Sequence, residues 1–189
     1  MIATAVIHQC IDHLKNGDVI LYPTDTIWGL GCDPFNQIAI DNVFRLKQRN
    51  SEKTFILLVD GVDMLKHYVE DISQDVLQII NENKQPLTII YKATNALPSF
   101  LLAADGTIAI RIIRHPLITP LIRQYGQPLV STSANISGDQ NPTSFEKVNQ
   151  LIIKGVDYIV PPEFDTSAHD QASKILKIKE DGSLFWIRK

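Results

Sequence analysis

Cysteine is scarce in this chain, with only Cys10 and Cys32 among 189 residues. Neither sits in a C-x-x-C or zinc-type spacing, which excludes a disulfide-stapled secreted scaffold and a cysteine-built metal site. Both read as reduced, buried thiols. Positive charge is not in excess either. Eighteen Lys and Arg stand against 21 Asp and Glu, a formal charge of −3 and a pI near 5.9, which argues against bulk electrostatic binding to RNA or to an anionic membrane. Any nucleic-acid contact would need a local patch. No apolar run approaches the roughly 18 residues of a membrane span. The start, Met1-Ile2-Ala3-Thr4, carries no basic leader, so a cytoplasmic protein without a membrane partner is expected. G-x-G-x-x-G and G-x-x-x-x-G-K-[ST] are both missing, so a bound phosphate must be held by other means. The histidines show no ligand spacing. His8 and His13 lie five apart on one helix and face differently, so no metal is expected from protein ligands. Without an internal repeat or a Pro/Gly/Ser linker, residues 1–189 read as one domain.

The chain does contain regular alternation of helix and strand patterns. Ile7, Cys10, Ile11 and Leu14 form a helical stripe over about 4–15 that Asn16-Gly17 stops. Val19–Tyr22 and 27–32 read as strands around the polar turn Thr24-Asp25-Thr26. Ile40, Val43 and Phe44 predict a helix over 37–48 whose apolar face also carries Lys47. Strands at 55–59, 87–91, 107–112, 157–160, 174–178 and 184–188 alternate with helices at 62–68, 73–82 and 118–125, the last ended by Gly126. Pro128-Leu129-Val130 leads into a hydroxyl-rich segment, and Thr143-x-x-Glu146 reads as a capping box opening a helix to about 153. One twisted sheet with helices packed on it is the simplest architecture.

Polar groups interrupt these apolar segments in three places, and each admits two readings. Tyr22-Pro23-Thr24-Asp25-Thr26-Ile27-Trp28-Gly29-Leu30-Gly31 is either a self-bonded turn or a site where glycines permit close approach, with Asp25 a turn cap or a general base. Lys47-Gln48-Arg49-Asn50-Ser51-Glu52-Lys53 is either a helix end favoured by the dipole or a set of cations converging on a polyphosphate. Ser131-Thr132-Ser133-Ala134-Asn135-Ile136-Ser137-Gly138 ends a buried strand, where unpaired hydroxyls are costly, so it faces a ligand or a bonded network.

In this order and spacing, the Y-P-T-D-T-x-W-G-L-G, K-x-R and L-V-S-T-S-A-N-x-S-G segments resemble the YrdC-like family of threonylcarbamoyl-AMP synthases, over about residue 8 to Arg188. The resemblance implies an α/β fold, an open twisted mixed sheet with flanking helices and a concave substrate site. It also implies a nucleotidyltransferase that joins L-threonine, bicarbonate and ATP, with Mg²⁺ accompanying the nucleotide, for threonylcarbamoyladenosine in tRNA. By the same resemblance Thr26, Arg111 and Ser173 contact threonine, with Arg111 on its carboxylate. Arg49, Lys53, Thr107, Ser131, Ser133, Asn141 and Arg188 contact ATP, and Lys47 and Arg49 position it. The implied partners are a tRNA threonylcarbamoyl transferase complex and, through the concave surface, tRNA or double-stranded RNA. The chain departs from the family pattern at Lys84-Gln85, at Leu58 where some relatives carry histidine, and at Asn50 and Thr54. These changes bear on the threonine pocket.

No nucleophile with a matched base is evident, which suits a reaction run by positioning and charge neutralisation. An RNA-binding module and a carbamoyl-transfer paralogue without threonine specificity are the competing readings. On the 107–112 strand Thr107, Ala109 and Arg111 alternate with Ile108, Ile110 and Ile112, so the arginine is expected on the ligand face, opposite the isoleucines.

Overall fold

The computed structural model describes residues 2–48, 55–166, 172–179 and 181–188. Helices α1 (Ile2–Asn16), α2 (Gln37–Leu46), α3 (Val62–Tyr68), α4 (Gln74–Glu82), α5 (Ile118–Tyr125) and α6 (Gln150–Gly155) alternate with nine strands. The strands are β1 (Ile20–Tyr22), β2 (Gly29–Gly31), β3 (Ile56–Val59), β4 (Leu87–Lys92), β5 (Thr107–Ile112), β6 (Leu129–Ser133), β7 (Tyr158–Ile159), β8 (Lys174–Ile178) and β9 (Leu184–Arg188). They form one sheet in the order β7-β1-β2-β6-β3-β5-β4-β8-β9. Parallel pairs β1/β7, β3/β5 and β4/β8 stand among antiparallel ones, so the sheet is mixed.

Period-two alternation divides the side chains between two faces. On one face Leu57, Ile89, Ile108, Ile110, Val130 and Leu176 pack under Ile40 and Val43 of α2, Leu65 of α3, Val76 of α4 and Ile152 of α6. On the other, α1 and α5 cover only part of the sheet, where Ile20, Tyr22, Leu58 and Leu129 meet Ile7, Cys10, Leu14, Leu121 and Ile122. The rest of that face stays open, which makes the molecule concave. Among the described residues no helix is long and apolar enough to cross a membrane.

Local chemistry sets the helix ends. Gly17 takes φ +81 after α1, and Gly126 takes φ +77 after α5, donating its N–H to Ile122 O at 2.9 Å. The Asn36 and Ser73 side chains accept from Ala39 and Val76 at the starts of α2 and α4. The segment after β6 differs from the sequence expectation. Glu146 accepts from the Ser144 side chain instead of reaching back to Thr143, and Thr143 Oγ1 accepts from Lys147 Nζ at 2.8 Å. Phe145–Lys147 therefore forms one 3₁₀ turn that seats Phe145 on Trp28, the chain extends at the buried Val148, and Asn149 caps a separate short helix α6.

His115 serves α5 as a cap. Its Nδ1 accepts the N–H groups of Leu117 and Ile118, both at 3.2 Å. Burial lowers its pKa below the ordinary 6.5, against the upward pull of the Asp25 and Asp165 carboxylates. The unfolded chain therefore binds more protons, so the stabilisation is present above pH 6.5 and is lost as pH falls through the folded value. The unfolding free energy from urea titration is expected to drop on acidification below neutrality, by up to about 1.4 kcal/mol per pH unit from this group. His115→Gln should flatten that drop, and an unchanged slope would contradict the assignment.

Candidate active site

The open part of the second face holds a cleft of about 360 Å³. Several elements bring polar groups to it. The β1–β2 turn supplies Thr24 and Thr26, β4 supplies Thr88, β5 supplies Arg111 and β6 supplies Ser131, Thr132 and Ser133. Asn141 comes from the segment after β6, Ser173 from just before β8, and Arg188 from β9. Burial of so many polar side chains in one place is costly unless each is bonded or serves a ligand. Thr24, Thr26, Thr88, Arg111, Ser131, Thr132 and Ser173 are all buried.

Arg111 is the central cation. It lies between Leu58 of β3 and Thr88 of β4 in the ladder, which places it on the cleft face and leaves Ile108 and Ile110 in the core. Its Nη1 donates to Thr26 Oγ1 at 3.1 Å and lies 3.4 Å from Asp25 Oδ1. Its Nε has no hydrogen-bond partner. Asp25 Oδ2 accepts the N–H of Arg114 at 3.3 Å, so this carboxylate ties the turn to the end of β5 as well as facing Arg111. Arg188 donates from Nε to Ser173 O at 2.7 Å, and its Nη2 donates to the same oxygen. Burial, and then the Arg111 charge, lower the pKa of Arg188. The two guanidiniums share this cleft with only Asp25 as an ion-pair partner among the described residues, an arrangement suited to an anion. The Thr88 and Ser173 hydroxyls bond each other at 2.7 Å in the same cleft.

Lys47 reaches the site from behind. It is 2% exposed, and its Nζ donates to Ser133 O, to Asn135 O at 2.8 Å and to Asn135 Oδ1 at 3.3 Å. Ser133 Oγ donates to the same amide oxygen, and Ser137 N donates to Lys47 O at 2.8 Å. The lysine therefore shapes the backbone that presents Ser133 and does not line the cleft.

Of the residues singled out by sequence, Thr26, Arg111, Ser131, Ser133, Asn141, Ser173 and Arg188 come together. Thr107 stands apart at the far end of β5. Its hydroxyl donates to Asp105 Oδ1 at 2.6 Å, and it lines a separate depression with Lys92 and Lys177. Arg49, Lys53, Asn50 and Thr54 lie outside the described residues. Leu58 is fully buried in the apolar cluster under α1 and α5. Lys84 and Gln85 line a cavity of about 130 Å³ against Ile110 and Ile112 on the other sheet face, which Asp25, the ion-pair partner of Arg111, also borders. Sequence reasoning missed Thr24 and Thr88 as site-building groups. The signal was there for Thr88, a polar residue alternating with Ile89 and Tyr91 on a strand whose other neighbours are apolar.

The Sua5/YciO/YrdC family model, described as Telomere recombination, matches residues 12–189. The chain is 37% identical over 159 residues to a threonylcarbamoyl-AMP synthase of Pseudoalteromonas translucida, covering 82% of this chain and 85% of that protein. Its fold is similar to that of P. abyssi Sua5 complexed with L-threonine, with a TM-score of 0.87 at 22% identity over 96% of this chain. The chain spans about half of that longer protein, 53% of its length. E. coli YciO is similar at a TM-score of 0.85 and 24% identity, over 98% of this chain and 89% of that one. With a family match that runs through every element from within α1 to β9, and with residues of the first and third motifs gathered in one cleft, this chain belongs to the Sua5/YciO/YrdC family.

Proposed function

We propose that this protein is a threonylcarbamoyl-AMP synthase. The observation that carries the proposal is the cleft in which Arg111, Arg188 and a ring of hydroxyls converge on one open sheet face. The sequence relatives of that name support it. The amine of L-threonine combines with bicarbonate to give a carbamate and water. The carbamate oxygen then attacks the α-phosphorus of ATP, forming the mixed anhydride and releasing pyrophosphate.

In this proposal Arg111 holds the threonine carboxylate, with Thr26 and Ser173 beside it. Ser131, Ser133, Asn141 and Arg188 line the nucleotide end, to which Arg49 and Lys53 are assigned as further cations. Lys47 acts by positioning, through the Ser133–Asn135 backbone. Thr107 is assigned to ATP on resemblance alone, because its hydroxyl is turned to Asp105. Mg²⁺ is assigned to the triphosphate itself. The product, an activated acyl adenylate, is then consumed by a tRNA threonylcarbamoyl transferase.

Pyrophosphate release from ATP is the direct test. Release is expected only when L-threonine and bicarbonate are both present. Equal release with L-serine would contradict threonine specificity, and release driven by ATP alone would contradict the reaction.

A further inference from the structure

The β1–β2 turn carries a hydrogen-bond chain whose direction follows from counting protons. Thr24 and Thr26 are 2% and 3% exposed, so water contributes little. Thr24 Oγ1 lies 2.7 Å from Ile27 O, a carbonyl that can only accept, so the single Thr24 hydroxyl proton is spent there. The same oxygen receives the N–H groups of Thr26 at 3.0 Å and of Ile27 at 3.2 Å. It also lies 2.8 Å from Thr26 Oγ1; two oxygens that close need a proton between them, so with the Thr24 proton on Ile27 O the donor is Thr26, and the two backbone N–H groups share the remaining lone pair of Thr24. Arg111 Nη1 can only donate, and it uses one lone pair of Thr26 Oγ1 at 3.1 Å. Thr26 therefore has no proton left for a ligand and one lone pair to offer, in the wall of the cleft. Beside it, the Nε edge of Arg111 is without an intramolecular acceptor.

We propose that Thr24 is a positioning residue that fixes the Thr26 hydroxyl as an acceptor, so that Thr26 and Arg111 together read an N–H donor adjacent to a carboxylate. That pattern belongs to an α-amino acid, and also to its N-carboxylated form, which keeps one N–H. The inference rests on the assignment of Arg111 to the substrate carboxylate and sharpens it, because it names the amine as the group that meets Thr26. Valine at position 24 would keep the shape and remove the acceptor. The Thr26 proton would then turn toward the cleft and oppose the substrate N–H, donor against donor.

The test combines two variants and two ligands in calorimetric titrations and steady-state kinetics. L-Threonine carries the N–H, whereas (R)-3-hydroxybutyrate keeps the carboxylate and β-hydroxyl without nitrogen. Wild-type protein is expected to bind L-threonine at least about tenfold more tightly than (R)-3-hydroxybutyrate, the order of one charge-assisted hydrogen bond. Thr24→Val is expected to raise the threonine KM about tenfold or more, with the ATP KM within about twofold and (R)-3-hydroxybutyrate binding little changed. Thr24→Ser should restore the threonine KM. Equal wild-type binding of the two ligands overturns the inference even where Thr24→Val fails to fold. So does a parallel loss of both ligands in Thr24→Val, which would mean that Thr26 reads the β-hydroxyl. If wild-type protein shows no threonine dependence, the functional assignment fails instead.

Discussion

Arg111→Ala is expected to raise the threonine concentration for half-maximal turnover about 100-fold, while the ATP affinity measured without threonine stays within about threefold. The size follows from losing a charge-assisted, forked contact to a carboxylate, on the order of 2 to 3 kcal/mol. The selectivity follows from position. Arg111 is buried against Thr26, whereas the nucleotide is proposed to lie along Ser133 and Asn141 of the same cleft. Arg111→Lys should rescue only partly, because an ammonium cannot hold Thr26 and a carboxylate in one plane. The substitution also leaves Asp25 without its ion-pair partner, so melting temperatures must accompany the kinetics. Equal loss of ATP and threonine binding would show that Arg111 supports the fold or the nucleotide.

The second large effect is expected at Lys47. Lys47→Met keeps the stem and removes an ammonium that serves Ser133 O, Asn135 O and Asn135 Oδ1. Stranding these buried acceptors should cost about 2 to 4 kcal/mol of stability, since each unsatisfied group costs on the order of 1 to 3 kcal/mol. Turnover should fall at least tenfold through a raised ATP KM, because the Ser133 backbone loses its support. A variant of normal stability and normal ATP KM would contradict the positioning role. Among the described residues the Lys47 ammonium donates to oxygens of Ser133, at the end of β6, and of Asn135.

Much of this was legible in the amino-acid sequence because the signals were local. The stripe of Ile7, Cys10, Ile11 and Leu14 placed α1, and the alternation of Ile108 and Ile110 with Ala109 and Arg111 placed the arginine on the cleft face. Gly126 ended α5 where the left-handed C-cap requires it. What stayed illegible depended on partners distant in sequence. The Thr143 capping box lost to the seating of Phe145 on Trp28, a contact across more than a hundred residues. The Trp28 indole bond to Asp165 and the pairing of Thr88 with Ser173 arise only when the sheet is assembled. Thr107 shared the face of Arg111, as the alternation required, yet strand alternation does not say how far along β5 the cleft extends. The Asp105 carboxylate, whose pKa is pushed down to about 2 by its bonds from Thr107 and Lys177, claims that hydroxyl instead.

The identity of the product separates a threonylcarbamoyl-AMP synthase from every competing reading. Purified protein is incubated with ATP, L-threonine and ¹³C-bicarbonate, and the adenylates are separated and weighed by mass spectrometry. The expected product is threonylcarbamoyl-AMP that carries one ¹³C in its carbamoyl carbon and does not form when threonine is omitted. An adenylate without the label, or a labelled one formed equally without threonine, would contradict it.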